Sequence, residues 1–316
     1  MSATRSFYES LIDYAGLFPP AALDLPTVIK NYHEYFGSSD SWMLARLIIP
    51  AGRLAEVSET AQEYLPKSDS AKPWRISALA PPAVSDDPGF ANAIKQIDQF
   101  NKRHSTADNG LSVVDAIEVK APTAEHQNNV VTGMRSSFDF TDPETVDVFM
   151  ELPHKDDPQG LVESLRELVE QGNSNLRAKI RTGGVTPDLI PGCDKVARFI
   201  ARCAKHRVGF KATAGLHHPL RNEFNLTYES DSPRATMHGY INVFAASLAA
   251  FIHDASVDQI EQILDFRTPG DFVFEDDWVT VSDFKFSASQ IADVRKSGVV
   301  SFGSCSFTEP VSEKWV

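Results

Sequence analysis

The sequence predicts an α/β chain closed into a (β/α)8 barrel, and three observations carry that expectation. Short apolar or β-branched runs recur at Met43–Pro50, Arg75–Pro81, Val114–Ala121, Asp147–Pro153, Arg177–Gly183 and Val208–Gly215, with starts 32, 39, 33, 30 and 31 residues apart. That interval is the size of one βα unit. Each run is followed by a polar or Pro/Gly break and then by apolar residues at helical spacing, such as Phe90, Ile94, Ile97 and Phe100, or Val196, Ile200 and Cys203. Strands that alternate with helices build a parallel sheet. A doubly wound open sheet is the alternative with the same alternation.

Taken in order, the first 40 residues predict a helical extension ahead of the barrel, with Pro26 suited to a first helical turn. The six runs above supply six strands, and Pro158 and Pro187 open two of the intervening helices. Tyr240–Ala245 is predicted as a seventh strand running straight into a helix through Ile252, and Val299–Ser304 as an eighth. Between them, Phe272–Phe274 and Trp278–Val281 predict a small hairpin turning at Glu275–Asp277. With no linker, no low-complexity tract and no further repeat, residues 1–316 read as one barrel domain.

Composition narrows the function. The 316 residues are 42% hydrophobic and carry 30 basic against 43 acidic side chains, a formal charge of −13. Such a chain is a poor partner for nucleic acid or anionic membrane. No apolar run reaches the ~18 residues of a membrane span. The opening MSATRSFYESLIDYAG lacks a basic stretch followed by an apolar one, and the three cysteines have no metal or disulfide spacing. The expected location is the cytoplasm and the expected partner a small molecule, with a homo-oligomer compatible with the sequence.

Buried parallel strands normally read as near-continuous apolar runs, yet four consecutive strands here carry charges. Ala116, Glu118 and Lys120 share one face, as do Phe149 and Glu151, then Arg177, Lys179 and Arg181, then Gly209, Lys211 and Thr213. If these faces line the lumen, the charges converge near the barrel mouth, where sites of this fold sit. Unpaired, each would cost several kcal/mol, so each must pair, stay wet or hold a ligand. One reading is a structural ion-pair layer; the other, preferred, is a site. Cations outnumber the carboxylates among them, which suits an anionic substrate such as a phosphate ester or carboxylic acid.

Lys179 and Lys211 lie on neighbouring predicted strands. A lysine in a partly apolar lumen beside another cation has its pKa lowered and becomes a nucleophile toward carbonyls. The stretches Arg177–Gly184 (RAKIRTGG) and Gly209–Gly215 (GFKATAG) resemble the two lysine strands of the deoxyribose-phosphate aldolase family, whose motifs read K-T-S-T-G and V-K-A-x-G-G-[IV]-R. That resemblance implies a class I aldolase barrel with the imine on Lys179 and Lys211 as the tuning cation. It is confined to these two strands. The lysines fall on the fifth and sixth predicted strands where the family uses the sixth and seventh, and its proton-relay Asp has no counterpart except Glu118 and Glu151. The segments YAGLFPPA (14–21), FKATAGLHHPLR (210–221) and SFGSCSF (301–307) resemble a bacterial family of unassigned activity, which implies no reaction.

The remaining candidates surround this core. His217 and His218 follow the sixth predicted strand on the mouth loop, and His217 is the candidate general acid or base. One histidine with Glu118 and Glu151 makes an alternative divalent-metal site of mixed N/O ligands, although the preferred reading uses no cofactor. Gly183–Gly184 and Gly303–Ser304 end predicted strands and offer backbone N–H groups to a phosphate, or simply make tight turns. Arg181, Lys120, Thr213 and His218 complete the expected substrate contacts. Cys305 reads as a buried inert thiol rather than a nucleophile. Asp13, Tyr14 and Phe18–Pro20 either plug the barrel bottom or cover its mouth, and Leu220–His238 has the length of a lid.

The expected function is lysine-dependent aldolase or lyase chemistry on a small anionic carbonyl compound. Metal-assisted lysis or hydrolysis, and non-catalytic ligand binding, are the alternatives.

Overall fold

Strands β1 (Ile12–Tyr14), β2 (Leu44–Pro50), β3 (Trp74–Leu79), β4 (Ser112–Lys120), β5 (Asp147–Glu151) and β6 (Leu176–Arg181) are each followed by a helix. β7 (Phe210–Thr213) leads instead into the hairpin of β8 (Asn222–Asn225) and β9 (Arg234–Met237), and two helices after that precede a small sheet of β10 (Phe272–Phe274), β11 (Trp278–Val281) and β12 (Phe284–Ser287). The last strand, β13 (Val299–Ser304), closes a parallel barrel in the order β1–β13–β7–β6–β5–β4–β3–β2. This computed structural model describes residues 2–154 and 156–315. Closure settles the architecture as a (β/α)8 barrel rather than an open sheet. Among the described residues no helix is long and apolar enough to cross a membrane.

Six of the eight expected strands lie where the sixfold repeat of apolar runs puts them, and the eighth is β13. The seventh is different. Tyr240–Ala245 opens a helix, Tyr240–His253, whose first twelve residues are all buried. A helix buried on every side has no polar face, so its apolar run carries no 3.6-residue signature and looks like a buried strand. The missing barrel strand lies at the other end of the chain. The N-terminal segment does carry helices, Ala3–Tyr8 and Leu25–Phe36, and between them it adds β1. Three residues are too few to show alternation, so β1 has no sequence signature of its own. The predicted hairpin near the C-terminus is present and gains a third strand, β12.

So short a strand needs an anchor. β1 pairs with β13 through Asp13 opposite Gly303, and with β2 through Ile12 opposite Leu44. Arg295, on the helix Ala288–Ser297 and 8% exposed, holds the approach to it. Its guanidinium donates to the carbonyls of Phe7 (3.1 Å), Glu9 (2.8 Å) and Ser10 (3.3 Å) on one side, and of Val299 (2.8 Å) and Val300 on the other. One planar cation thus ties the chain before β1 to the start of β13.

A second set of charges closes the N-terminal end of the barrel. Arg46 of β2 bridges Asp115 of β4 (2.7 Å) and Asp147 of β5 (3.0 Å). Arg75 of β3 (2.5 Å) and Arg177 of β6 (3.1 Å) extend the chain at its two ends. Arg177 therefore belongs to a structural ion-pair layer. Lys179 and Arg181, on the same strand, stand about 3.3 Å per residue further up.

Replacing Arg295 with Met strands five carbonyls at the β1–β13 seam. We expect the variant to lose at least about 3 kcal/mol of stability in urea denaturation. A loss under about 1 kcal/mol would mean that β1 is seated without this residue.

Candidate active site

Asp13, Glu118, Glu151, Lys179 and Lys211 come from β1, β4, β5, β6 and β7, and their side chains meet inside the barrel as a chain of alternating charge. Lys211 Nζ donates to Asp13 Oδ2 and, at 2.7 Å, to Glu118 Oε1. Lys179 Nζ lies 2.9 Å from Glu118 Oε2 and 2.8 Å from Glu151 Oε2. The register accounts for the meeting, because Glu151 is opposite Lys179 and Lys179 is opposite Lys211 on adjacent parallel strands. Hydroxyls satisfy further lone pairs: Ser301 of β13 donates to Asp13 Oδ2 (2.6 Å), and Ser77 of β3 donates to Glu118 Oε1 (2.7 Å). The Phe149 ring lies 5.2 Å from Lys211 Nζ.

The two ends of this chain differ. Asp13 and Lys211 are fully sealed, while Glu118, Lys179 and Glu151 line a cavity of about 290 Å³ at the C-terminal ends of the strands. Lys120 and Arg181 stand on the wall of that cavity, both exposed. Among the described residues neither has a carboxylate partner; the Arg181 guanidinium donates to the Gly183 carbonyl at 3.0 Å. Thr213, Gly184 and Gly303 also face the cavity. Phe18, Pro19 and Pro20 cover it from the N-terminal segment, and Leu226 and Met237 from the β8–β9 unit. The aromatic, Pro-rich segment thus belongs to the mouth, not the bottom.

Electrostatics at Lys179 run opposite to the expectation from sequence. Burial opposes its charge, but Glu118 and Glu151 outweigh burial and hold its pKa above the ordinary amine value. The depression expected from Lys211 does not arise, because Glu118 stands between the two ammonium groups and Asp13 neutralises Lys211 from behind. Glu118 is the mirror case: burial raises its pKa, yet Lys179 and Lys211 hold it well below the carboxylate range. Three carboxylates face two ammonium groups here, so the excess of cations belongs only to the exposed wall.

The paired histidines separate. His217 borders the cavity, and its Nδ1 is 2.7 Å from Glu309 Oε2. Burial works against its charge, but Cys305 and Glu309 push its pKa up to about 9. His218 points outward, 3.0 Å from Glu313 and stacked on Phe224. Gly183 lies just behind the wall, where a Cβ would come within 2.8 Å of Gly215 Cα, so its small size serves the crossing of two loops. Ser304 is 2% exposed and accepts from the Ser306 amide. Among the described residues no three His, Cys, Asp or Glu side chains are grouped to hold a metal ion.

Sequence reasoning missed Asp13, Ser77, Ser301 and Glu309. Asp13 carried a usable signal, a carboxylate inside the apolar run Leu11–Tyr14, the same anomaly that marks Glu118. The serines carried none.

No family model matches the chain, and no curated protein matches it. Among solved structures it is similar to deoxyribose phosphate aldolase from Aeropyrum pernix, at 13% identity over 68% of this chain and 80% of that one, with a TM-score of 0.41. It is also similar to malate synthase from Haloferax volcanii. The lead(II) complex aligns at 8% identity over 92% of this chain and 73% of that one (TM-score 0.43), and the pyruvate/acetyl-CoA ternary complex at 9% over 94% and 72% (TM-score 0.42). The barrel assignment rests on the strand pairing above, not on these likenesses.

Two outcomes test the charge chain. Lys211→Met leaves the buried Asp13 carboxylate without a cation and Glu118 with Lys179 alone, and should cost about 3–5 kcal/mol, much of it recovered when Asp13→Asn is added; additive losses in the double-mutant cycle would deny the coupling. The pH window follows from the two shifts. The lowered Glu118 contributes stability above its ordinary value of 4.5 that is lost as pH falls further. The raised Lys179 contributes stability below its ordinary value of 10.5 that is lost as pH rises further. Urea midpoints should therefore form a plateau between these values. The double variant Glu118→Gln, Lys179→Met should narrow the fall on both sides, and an unchanged profile would count against the assignment.

Proposed function

We propose that this barrel is a lysine-dependent aldolase or lyase that forms an imine between Lys179 and a small anionic carbonyl compound. The observation that carries the reading is the single amine of the charge chain that reaches the cavity. Lys179 faces the ligand space, whereas Lys211 is sealed behind Glu118. Lys211 is accordingly a positioning residue that keeps Glu118 ionised. Counted from β1, the two lysines occupy barrel strands six and seven, the strands that the resemblance of their motifs implies.

A raised amine pKa is compatible with this chemistry. Ammonium plus carbonyl gives iminium plus water without a change in charge at nitrogen. Carboxylates that stabilise the one therefore stabilise the other, and they oppose only the neutral amine in between. Glu151, 2.8 Å from Nζ and the more exposed of the two, is placed to take the proton that frees the lone pair. Nζ then adds to the carbonyl carbon, the hydroxyl leaves as water, and the iminium draws electrons from the adjacent carbon–carbon or carbon–hydrogen bond. Glu118 stays ionised and holds the nitrogen's charge in place. Lys120 and Arg181 supply the free cations for a carboxylate or phosphate on the substrate.

A divalent metal held by Glu118, Glu151 and His217 would draw on side chains already committed elsewhere, the glutamates to Lys179 and the imidazole to Glu309. A barrel that only binds its ligand would saturate without covalent change.

Incubation with a panel of small aldehydes and 2-oxo acids, followed by borohydride, should leave a reduced adduct on Lys179 that Lys179→Met abolishes. Because the free amine attacks, trapping should increase about tenfold per pH unit through neutrality. Glu151→Gln removes one carboxylate that raises the amine, and should move that rise to lower pH. The reading fails if no carbonyl compound labels Lys179 at any pH.

A further inference from the structure

Cys305 directly follows β13 and lies on the wall of the cavity, 6% exposed. Groups from three other parts of the chain converge on it. His217, on the loop after β7, brings Nε2 to 3.9 Å from Cys305 Sγ. Glu309, on the helix Thr308–Ser312, holds the other ring nitrogen at 2.7 Å. Tyr228, beyond β8, places its hydroxyl 3.8 Å from the sulfur. Tyr14 of β1 also senses the thiol, and burial pushes its pKa up to about 12, so it is neutral near pH 7. Carboxylate, imidazole and thiol thus stand in a line, the order in which a base is oriented and a nucleophile is deprotonated. The other two cysteines make the contrast. Burial alone raises Cys203, and burial pushes Cys193 up to about 11.

The space around His217 indicates what the thiol would attack. The imidazole is part of the wall between the inner cavity, which Cys305 lines, and an outer one of about 520 Å³ beside β8 and β9. Pro20, Leu226 and Met237 complete that wall. A reactant in the inner cavity would meet the sulfur on one side and, 3.9 Å from it, the nitrogen that gives up a proton on the other. That division suits acyl transfer, in which an acyl carbon is attacked and a leaving group must be protonated as it departs.

We propose that Cys305, His217 and Glu309 form a second catalytic centre, in which the thiol takes the acyl group of a small activated ester or thioester. With the proton carried on His217 Nε2, the sulfur attacks as thiolate and bonds to the acyl carbon. The tetrahedral adduct collapses, the bond from carbon to the leaving oxygen or sulfur breaks, and His217 gives its Nε2 proton to that atom. Water then yields a proton to the now neutral Nε2 and adds to the thioester, the carbon–sulfur bond breaks, and a carboxylic acid and the thiolate–imidazolium pair result. The sum is hydrolysis, with no other reactant. This centre stands apart from the imine reading, because its nucleophile and its proton carrier are different residues.

The test uses p-nitrophenyl acetate with the intact chain near pH 7. The expected result is a burst of about one p-nitrophenolate per chain and an acetyl group that peptide mass spectrometry places on Cys305. Cys305→Ala should abolish the burst, and His217→Gln should slow it at least tenfold. Glu309→Gln, which only removes the group that orients the ring, should slow it less. Should an alanine variant not fold, iodoacetamide on the native wild-type chain gives the same answer. Cys305 should be alkylated well before Cys193 and Cys203, and His217→Gln should slow that alkylation at least tenfold. Acetylation confined to lysines, an undiminished burst in Cys305→Ala, or alkylation of Cys305 that is unchanged in His217→Gln would overturn the proposal. The acetyl group on Cys305 and the reduced adduct on Lys179 are different masses on different peptides, so either centre can fail alone.

Discussion

Charges sealed in a barrel lumen must cancel or the barrel does not form, and five of them dominate this one. Asp13, Lys211, Glu118, Lys179 and Glu151 alternate in sign across the interior, each within reach of the next. Loss of Lys211 strands Asp13 and loss of Lys179 strands Glu151, in a region where solvation is weak. The constraint reaches beyond the site. It makes the three-residue β1 an obligatory barrel strand, since only that strand brings a carboxylate to the sealed side of Lys211. The Arg295 clamp across the β1–β13 seam serves the same end, because β1 has too few ladder bonds to hold Asp13 there alone.

Charge occurs at two heights in the barrel and serves different purposes. At the N-terminal end Arg46, Asp115, Asp147, Arg75 and Arg177 pair among themselves and border no substrate space. Higher up, the chain opens on a cavity whose wall carries two cations that have no carboxylate partner among the described residues. The strand charges divide between these two heights on β4, β5 and β6, a closed ion-pair layer below and a chain that opens on a cavity above. Of the two layers, the upper one has unmatched charge facing a cavity among the described residues, and the proposed anion recognition rests on it.

Glu118 and Glu151 set the character of the cavity. They favour a positively charged nitrogen at Lys179 over the neutral amine, and the proposed imine cycle would run through such cationic states. Across the same cavity, the imidazole of His217 is charged by Glu309 and Cys305 rather than by the lysine chain. Two separate electrostatic systems thus share one small chamber under the cover of Phe18–Pro20 and the β8–β9 unit.

Periodicity by itself determined the alternation of strands and helices and the charged inner faces of β4 to β7, because each is a local pattern of period two or 3.6 read within a dozen residues, whereas closure into a barrel rather than an open sheet was read from the strand pairing. Lys179, Glu118 and Glu151 were legible for the same reason, as charges where a buried strand should have none. Tertiary structure alone decided the rest. It made Tyr240–Ala245 a helix, since a segment buried all round has no polar face to reveal its period. It recruited Ile12–Tyr14 as a strand, placed Asp13 against Lys211 at a separation of 198 residues, and set Glu309 behind His217 at 92. It also reversed the expected shift at Lys179, for a pKa depends on which charges end up nearest in space, and here those are carboxylates delivered by strands far apart in the chain.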